Sequence, residues 1–243
     1  MSSSIATEIE QLSVVVPCFN ENATLEKVIA SVLAAETCGL EREVIIVDDG
    51  SDDGSRETGR GLAAKHTNVR FFEHERNMGK GAAVRTGFRE ADGDIILVQD
   101  ADLEYDPADY RRLLRPILEE GADVVIGTRF RSGEAVRVLY YWHRVVNAAI
   151  TTFSNMFTNV NLTDIECCHK VFRRDIIERI ELKENRFGIE PELCAKICRL
   201  KPLPRIYEVG VSYRGRTYEE GKKIGWKDGV RAIYCIVRYN LFP

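Results

Sequence analysis

The sequence predicts an α/β fold in which a doubly wound, mostly parallel sheet is covered by helices on both faces. In the first half of the chain, short runs rich in β-branched residues alternate with longer segments of helical spacing, a pattern typical of repeated strand–helix–strand units. The strand runs end in clusters of Asn, Asp and Glu. Ligands bind at the carboxyl ends of strands in such sheets, so these clusters mark the expected site.

The elements of the first half follow in order. Strands are predicted where β-branched and apolar residues dominate, at 12–17, 43–49, 69–72, 94–100 and 122–127. Helices are predicted between them, where apolar residues recur every three or four positions, at 24–35, 54–65, 80–90 and 108–120.

The second half departs from this alternation and is predicted to form a C-terminal helical extension. A long helix is predicted over 138–158, with one apolar face made of Trp142, Val145, Val146, Ala149, Phe153, Met156 and Phe157. Further elements are a helix at 190–200, a strand at 205–211 and a last helix at 226–239. No Pro/Ser/Gly-rich linker separates the halves, so we expect a tail (1–10), one catalytic domain (11–211) and a basic loop with an amphipathic helix (212–243).

Composition indicates an ordinary globular chain of 243 residues, 44% hydrophobic and 30% charged. The formal net charge of −4 gives no indication of nucleic-acid binding. From residue 201 onward, however, nine Lys and Arg stand against four Asp and Glu. This end of the chain therefore either meets an anion or a membrane surface, or is a solvated basic face.

The seven cysteines form no CxxC pair and no zinc-type grouping with His. The first residues show no signal-peptide pattern, and no uncharged apolar run approaches the length of a membrane span. We therefore expect reduced thiols and a cytoplasmic location.

Two polar loops follow the first two predicted strands. In "PCFNEN", the side chains of Asn20 and Glu21 can hydrogen-bond a base or ribose, although Asn22 also suits a helix cap. In "DDGSDDGS", Asp48 and Asp49 can accept bonds from a ribose, although Asp-Gly-Ser is also a common turn.

A glycine-containing stretch, "NMGKGAAVRTG", opens the third predicted helix. It matches neither the Walker phosphate loop nor the dinucleotide GxGxxG fingerprint. Gly79 and Gly81 are nevertheless expected to let backbone approach a ligand, with Lys80 and Arg85 facing phosphate.

The stretch "ILVQDADLEYDP" is a buried strand that ends in acid. Alternation along an extended segment would place Asp100, Asp102 and Glu104 on a common side. Oxygen ligands of this kind suit Mg²⁺ or Mn²⁺, which usually keep water and substrate phosphates as further ligands. The alternative is a solvated acidic turn in which Glu104 or Asp106 caps the next helix.

In this order, "VVVPCFNEN", "VIIVDDGSDDGS", "NMGKGAAVRTG" and "QDADLEYDP" resemble the motifs of family 2 glycosyltransferases, which have the Rossmann-like GT-A fold. The chain looks most like the polyprenyl-phosphate (dolichol-phosphate) hexosyltransferases, and the resemblance is strongest up to Arg129. It implies a metal-dependent, inverting transfer of a hexose from a nucleotide sugar to a polyprenyl phosphate, by a chain that is peripheral at the cytoplasmic face of a membrane.

The resemblance also implies roles for individual residues. It implies catalysis by Asp100, Asp102 and Arg129, and a divalent cation held by Asp100, Asp102 and Glu104. Glu104 stands where relatives often have Gln. The implied nucleotide-sugar site consists of Pro17, Asn20, Glu21, Asp48, Asp49, Lys80, Asp100 and Arg129.

The acceptor phosphate is expected to meet residues of two later stretches. "LTDIECCHKVF" stands where relatives have a "GFK"-like segment, and "YRGRTYEEGKKIGWKDG" is rich in cations. The residues assigned to the acceptor are His169, Lys170, Arg214, Arg216, Lys222 and Lys223. A structural role for His169 remains open, as does helix-terminal placement for Glu190 in "RFGIEPEL".

Two other functions remain open. One is a family 2 enzyme that extends a saccharide hydroxyl and needs a carboxylate base. The other is a non-catalytic membrane-docking protein that uses the aromatic helix at 138–158, although that helix could also pack on the sheet or a second subunit. The sequence does not distinguish GDP-mannose from UDP-glucose as donor, nor a homo-oligomer from a chain with a membrane-protein partner.

Overall fold

The computed structural model describes residues 9–131, 137–138, 140–217, 219–220 and 225–242. The strands are β1 (Gln11–Cys18), β2 (Glu41–Asp48), β3 (Val69–Glu73), β4 (Ile95–Val98), β5 (Val124–Thr128), β6 (Lys170–Arg173) and β7 (Ile206–Gly210). The α-helices are α1 (Asn22–Ala34), α2 (Ser55–Lys65), α3 (Lys80–Glu90), α4 (Tyr110–Glu119), α5 (Tyr141–Thr158), α6 (Arg174–Glu178), α7 (Ile189–Arg199) and α8 (Trp226–Leu241).

Within the described residues these strands form one sheet in the order β3-β2-β1-β4-β6-β5-β7. β3, β2, β1 and β4 are parallel neighbours, as are β5 and β7. β6 lies between β4 and β5 and runs antiparallel to both. The predicted α/β fold with a mostly parallel sheet is confirmed, but β6 and α6 were missed because each is only four or five residues long.

The sheet has a core on each face, and β1 shows how alternation produces both. Val14 and Val16 face a cluster that includes Leu25 of α1 and Leu113 of α4, whereas Val15 faces a cluster with α3, α7 and α8. All three valines are fully buried. Strands buried on both faces become continuous apolar runs, which explains the sequence of β1 and β2.

The apolar face predicted for the helix at 138–158 is only partly buried. Phe153 and Phe157 pack against the core beside α7 and α8. In contrast, Trp142 is 71% exposed, Val146 51% and Met156 75%. The side chains of the predicted apolar face are therefore divided between those that pack on the core and those that stay exposed, and exposed ones occur near both ends of α5.

Candidate functional site

Polar loops from two neighbouring parallel strands are tied together at the carboxyl edge of the sheet. The backbone N of Asn20, after β1, donates to Ser51 Oγ at 2.9 Å, and its side chain exchanges bonds with Asp52. Asn20 has a positive φ of 51°, which Asn tolerates better than most residues. Pro17 is buried within β1. The predicted nucleotide loops therefore form one connected rim.

Asp48 and Asp49 point to different tasks although they are adjacent. Asp48 Oδ2 accepts from the backbone N of Gly50 and Ser51, while its Oδ1 is buried without a hydrogen-bond partner in the described structure. Asp49 accepts from His74 Nδ1 at 2.7 Å and from the backbone N of Gly79 at 2.6 Å. Asp48 thus braces the loop after β2 and keeps one buried, unpartnered oxygen, and Asp49 shapes the loop before α3.

The glycines before and within α3 accommodate protein backbone. A Cβ on Gly79 would lie 2.3 Å from the carbonyl oxygen of Asn185, and one on Gly81 2.3 Å from that of Glu184. Arg85 also donates to this segment, to Asn185 Oδ1 at 2.6 Å. Residues 184–186 therefore require glycine at both positions, and the expected approach of a ligand to this backbone stays a prediction.

Lys80 enters the site as the centre of a buried ionic cluster. Its Nζ lies 2.7 Å from Asp100 Oδ1, 2.8 Å from Cys168 Sγ and 3.9 Å from Glu190 Oε1. Burial opposes the charge of each partner, yet Asp100 raises the pKa of Lys80 and Lys80 lowers the pKa of Asp100. The pair is therefore ionised, and Asp100 is held as a carboxylate.

The acidic segment after β4 is a turn and not an extended strand end. β4 ends at Val98, and Leu103 has a positive φ of 62°. The expected alternation of three carboxylates along a strand was therefore wrong. Burial and then the neighbouring Asp100 and Glu104 raise the pKa of Asp102 to about 7, and Arg216 opposes that rise.

Asp102 and Glu104 nevertheless meet at one cation, Arg216, which also binds Glu21. Arg216 Nη2 donates to Asp102 Oδ2 at 3.0 Å and to Glu21 Oε1 at 2.9 Å. Glu104 Oε1 accepts from the backbone N of Arg216 at 2.7 Å, and its Oε2 accepts from Tyr213 Oη at 3.0 Å. Residues far apart in sequence thus share one charge cluster.

Arg129 is bound to an acid that the sequence analysis did not single out. Its Nε and Nη2 donate to the two oxygens of Asp164 at 2.6 and 2.7 Å, and its guanidinium lies 5.1 Å from the ring centre of Tyr213. Asp164 is fully buried. Burial opposes its charge, but Arg129 holds the pKa of Asp164 below its usual value.

His169 and Lys170 lie beneath the surface of the site. His169 is fully buried, its Nε2 lies 3.0 Å from Gln99 Oε1, and burial lowers its pKa to about 4. Lys170 Nζ binds Glu190 and the carbonyl of Ile165. The expected direct contact with an acceptor phosphate is unavailable to either residue here, because neither nitrogen reaches solvent.

The remaining acceptor candidates differ in exposure. The side chain of Arg214 is 76% exposed and lies 3.7 Å from Asp106, and that of Arg216 is 20% exposed. Lys222 and Lys223 lie outside the described residues.

Glu166 is a site residue that the sequence analysis missed. Its Oε1 is buried and has no hydrogen-bond partner among the described residues. Burial and then Glu190 raise the pKa of Glu166 to about 7. The only local signal was its place in "LTDIECCHKVF", between Asp164 and the cysteine pair.

A metal would have to use acids that now bind cationic side chains. Across the described residues, no three His, Cys, Asp or Glu side chains are spaced to hold an ion together. Asp102, Glu104 and Glu21 do, however, converge on the guanidinium of Arg216. This oxygen-rich, cation-binding set fits a hard divalent ion that takes its other ligands from water and substrate.

Comparison with known proteins identifies the family. A model described as glycosyl transferase family 2 matches residues 13–181. The undecaprenyl-phosphate 4-deoxy-4-formamido-L-arabinose transferase of Aeromonas hydrophila is 33% identical over 89% of this chain and 64% of its own. The dolichol-phosphate mannosyltransferase of Pyrococcus furiosus is 28% identical over 95% of this chain and 64% of its own. The chain thus spans just under two thirds of the length of these relatives.

Solved structures agree on the fold. Glucosyl-3-phosphoglycerate synthase from Mycobacterium tuberculosis, crystallised with Mn²⁺, UDP and phosphoglyceric acid, superimposes with a TM-score of 0.73 at 22% identity. The alignment covers 96% of this chain and 80% of that one. Together with the family model, which covers most of the chain, this establishes that the protein belongs to glycosyl transferase family 2 and has the GT-A fold.

Proposed function

We propose that the chain transfers a hexose from a nucleotide sugar to a polyprenyl phosphate at a membrane surface, in a metal-dependent reaction that inverts the anomeric centre. One observation carries the choice of acceptor: three carboxylates of the site are held in ion pairs. Asp100 binds Lys80, Asp164 binds Arg129 and Glu190 binds Lys170. A paired carboxylate is a weak base, so the site suits an acceptor that arrives already ionised.

The nucleotide sugar is proposed to bind across the rim formed by the loops after β1, β2 and β4. Asp48, whose Oδ1 is buried and unpartnered, lies at this rim together with Asn20 and Glu21. Lys80, next to Asp100, would face the diphosphate. UDP is present in crystals of the mycobacterial synthase of the same fold, which supports a nucleotide sugar as the donor.

A divalent cation, Mg²⁺ or Mn²⁺, is proposed to be held by Asp100, Asp102 and Glu104. It would neutralise charge on the departing diphosphate, which needs no protonating acid once that charge is balanced. Mn²⁺ accompanies UDP in the mycobacterial structures, which supports the cation without identifying it in this chain.

The acceptor phosphate is proposed to approach from the side of Arg129, Arg214 and Arg216. The names of the bacterial and archaeal relatives describe transfer to undecaprenyl phosphate and to dolichol phosphate. A phosphate monoester is an anionic nucleophile near neutral pH, so the arginines need only orient it for an in-line displacement. His169 and Lys170, which are buried beneath the site, would hold the surrounding residues in place without touching the phosphate.

Glu166 favours a second candidate function, transfer to a saccharide hydroxyl. A hydroxyl acceptor needs a general base, and an unpaired carboxylate with a pKa of about 7 has the required properties. In that case activity would rise with pH through about 7, as Glu166 loses its proton, and would then level off.

The first prediction separates the two acceptors. With a nucleotide sugar that carries a labelled hexose as donor, we expect the labelled hexose to be transferred to a short-chain polyprenyl phosphate and not to free saccharides. Glu166→Gln should leave that transfer within about threefold of wild type, because an ionised phosphate needs no base. The measurement is the initial rate from pH 5.5 to 8.5. The second function would be supported instead if saccharides were the acceptors and if the rate rose with pH near 7 in the wild type but not in Glu166→Gln.

Peripheral membrane contact is proposed for the exposed sides of α5 and α8, two helices that pack against each other. Trp142 and Tyr141 are 71% and 70% exposed on α5, and Tyr234 and Ile233 are 50% and 47% exposed on α8. Apolar patches rimmed by cations mark interaction surfaces, and Arg231 lies beside Tyr234. No helix in the described part of the chain has the length and apolar character needed to cross a bilayer.

The second prediction concerns this surface. Trp142→Glu and Tyr234→Glu should each weaken co-sedimentation with anionic liposomes, because they place charge in the interface. Leu203→Glu is the matched control: Leu203 is 50% exposed but lies in the loop before β7 and belongs to neither helix. Binding should also weaken with added salt. Failure of the wild-type chain to sediment at low salt would contradict membrane contact, and a change from monomer to dimer at this surface would assign it to a second copy.

A further inference from the structure

The segment after β7 inserts Arg216 among acids that come from two other loops. Its guanidinium donates to both oxygens of Glu21, at 3.1 and 2.9 Å, and to Asp102 Oδ2 at 3.0 Å. Its Nε is buried, has no hydrogen-bond partner in the described structure, and lies 3.7 Å from Glu104 Oε1. Arg216 is therefore a cation shared by three carboxylates.

We propose that Arg216 is an internal cation that competes with the divalent metal for these carboxylates, and that its release makes it available to the acceptor phosphate. The inference rests on the proposed function, because it takes Asp102 and Glu104 as metal ligands. It adds Glu21 to the cation site and assigns Arg216 two successive partners, the acids first and the phosphate second.

Competition follows from distance and charge. A divalent cation lies about 2.0–2.2 Å from a carboxylate oxygen, whereas Arg216 Nη2 is already 3.0 Å from Asp102 Oδ2. Two cations on one oxygen would lie within a few ångströms of each other in a half-buried site, where repulsion is poorly screened. Arg216 must therefore give up Oδ2 of Asp102 before a metal can bind that oxygen, because Oδ1 already accepts from the backbone N of Glu104 at 3.1 Å.

The same pairing offsets the repulsion between the carboxylates of the acidic cluster. Asp100, Asp102 and Glu104 share one short turn after β4, so their negative charges lie close together. Bidentate guanidinium–carboxylate contacts are among the strongest in proteins, and Arg216 makes one with Glu21 while it also binds Asp102. Arg216 thus supplies positive charge to this cluster of carboxylates.

Only the side chain has to move. The backbone N of Arg216 donates to Glu104 Oε1 at 2.7 Å, and that of Arg214 donates to the carbonyl oxygen of Glu104 at 2.9 Å. These bonds tether the segment to the acidic turn even when the guanidinium leaves. The freed side chain would remain next to the diphosphate of the bound donor. The donor and the metal would therefore bind first, and the acceptor phosphate would then bind the released guanidinium of Arg216.

The third prediction is that removal of Arg216 strengthens metal binding. We expect Arg216→Met to bind Mn²⁺ about tenfold more tightly than wild type, a coupling of ordinary size for two competing ligands. Arg214→Met is the matched control. It removes the same positive charge two residues earlier in the chain, and the side chain of Arg214 is 76% exposed. Binding is measured by electron paramagnetic resonance titration at pH 8, without nucleotide and with UDP or GDP. Equal or weaker Mn²⁺ binding by Arg216→Met than by Arg214→Met would overturn the inference.

A measurement on the wild-type chain keeps the inference testable if the variant does not fold. Arginine labelling by phenylglyoxal, read by mass spectrometry, should increase at Arg216 when Mn²⁺ is added and should stay low at Arg129, which remains bound to Asp164. Unchanged labelling of Arg216 at saturating Mn²⁺ would contradict the competition alone. If no variant binds Mn²⁺ or either nucleotide, both the inference and the proposed function fail.

Discussion

Asp102→Asn is expected to abolish transfer while leaving the fold intact. The substitution keeps the shape of the side chain and removes the charge that is proposed to hold the metal at the diphosphate. Losses of about a thousandfold follow removal of one well-placed electrostatic group, and we expect at least that in kcat. The control is Asp106→Asn, because Asp106 lies in the same acidic stretch, has a side chain that is 38% exposed, and caps the next turn with an oxygen that Asn also carries. Turnover within tenfold of wild type would contradict the assigned role of Asp102.

Asp102→Asn is expected to change thermal stability in the opposite direction to activity. The pKa of Asp102 is about 7 in the fold against an ordinary value of 3.8. A carboxyl whose pKa is raised by folding destabilises the fold once it ionises, so the cost grows as pH rises from about 4 and is fully present above about 7. The metal-free variant should therefore melt at or above the wild-type temperature at pH 8, and this advantage should shrink as the pH falls and vanish near pH 4. A lower melting temperature at pH 8 would show that lost contacts with Arg216 outweigh the relieved repulsion.

Arg129→Ala is expected to lower the free energy of unfolding, in addition to any effect on the transfer reaction. The substitution leaves Asp164 as a fully buried carboxylate whose remaining side-chain donor among the described residues is Asn147, at 2.9 Å. Breaking a buried ion pair from one side typically costs about 3–5 kcal/mol, and we expect the free energy of unfolding in urea to fall by that amount. Arg131→Ala is the control, because Arg131 is 56% exposed and 3.7 Å from its acid; such pairs contribute about 1 kcal/mol or less.

A double-mutant cycle separates the pair from the site. Asp164→Ala alone should also destabilise the protein, and the double variant should lose less than the sum of the two single losses, since neither charge is then left unpaired. The folded double variant should still transfer poorly, because the acceptor phosphate would lack the Arg129 guanidinium. Additive losses in the cycle would contradict an energetic coupling between Arg129 and Asp164.

Local pattern was enough for the fold and for the position of the site. The alternation of β-branched runs with helical segments predicted β1 to β5, β7 and the main helices. The acids and amides that end β1, β2 and β4 marked the edge where the loops meet, because parallel neighbours end on the same side of a sheet. The motif order also identified the family, which the family model confirms.

Partner choice across the site was not accessible in the same way. Arg129 and Asp164 are 35 positions apart, and Arg216 and Glu21 are 195 apart. No periodicity relates such residues, so a side chain that reads as a phosphate ligand can instead be held by a distant acid. The turn after β4, set by the positive φ of Leu103, likewise replaced the extended segment expected for the acidic motif.

The sequence by itself determined which chemistry the protein contains: oxygen ligands at strand ends, cations in the later segments, and a two-faced sheet that brings the loops to one edge. These follow from local spacing and side-chain type, which act within a few residues. Only the tertiary structure decided which charges are paired and which are free. Burial makes an unpaired charge costly, so folding matches Lys80 with Asp100, Arg129 with Asp164 and Arg216 with Glu21 and Asp102. A substrate or a metal would therefore bind those acids whose cationic partner in the folded protein can be displaced.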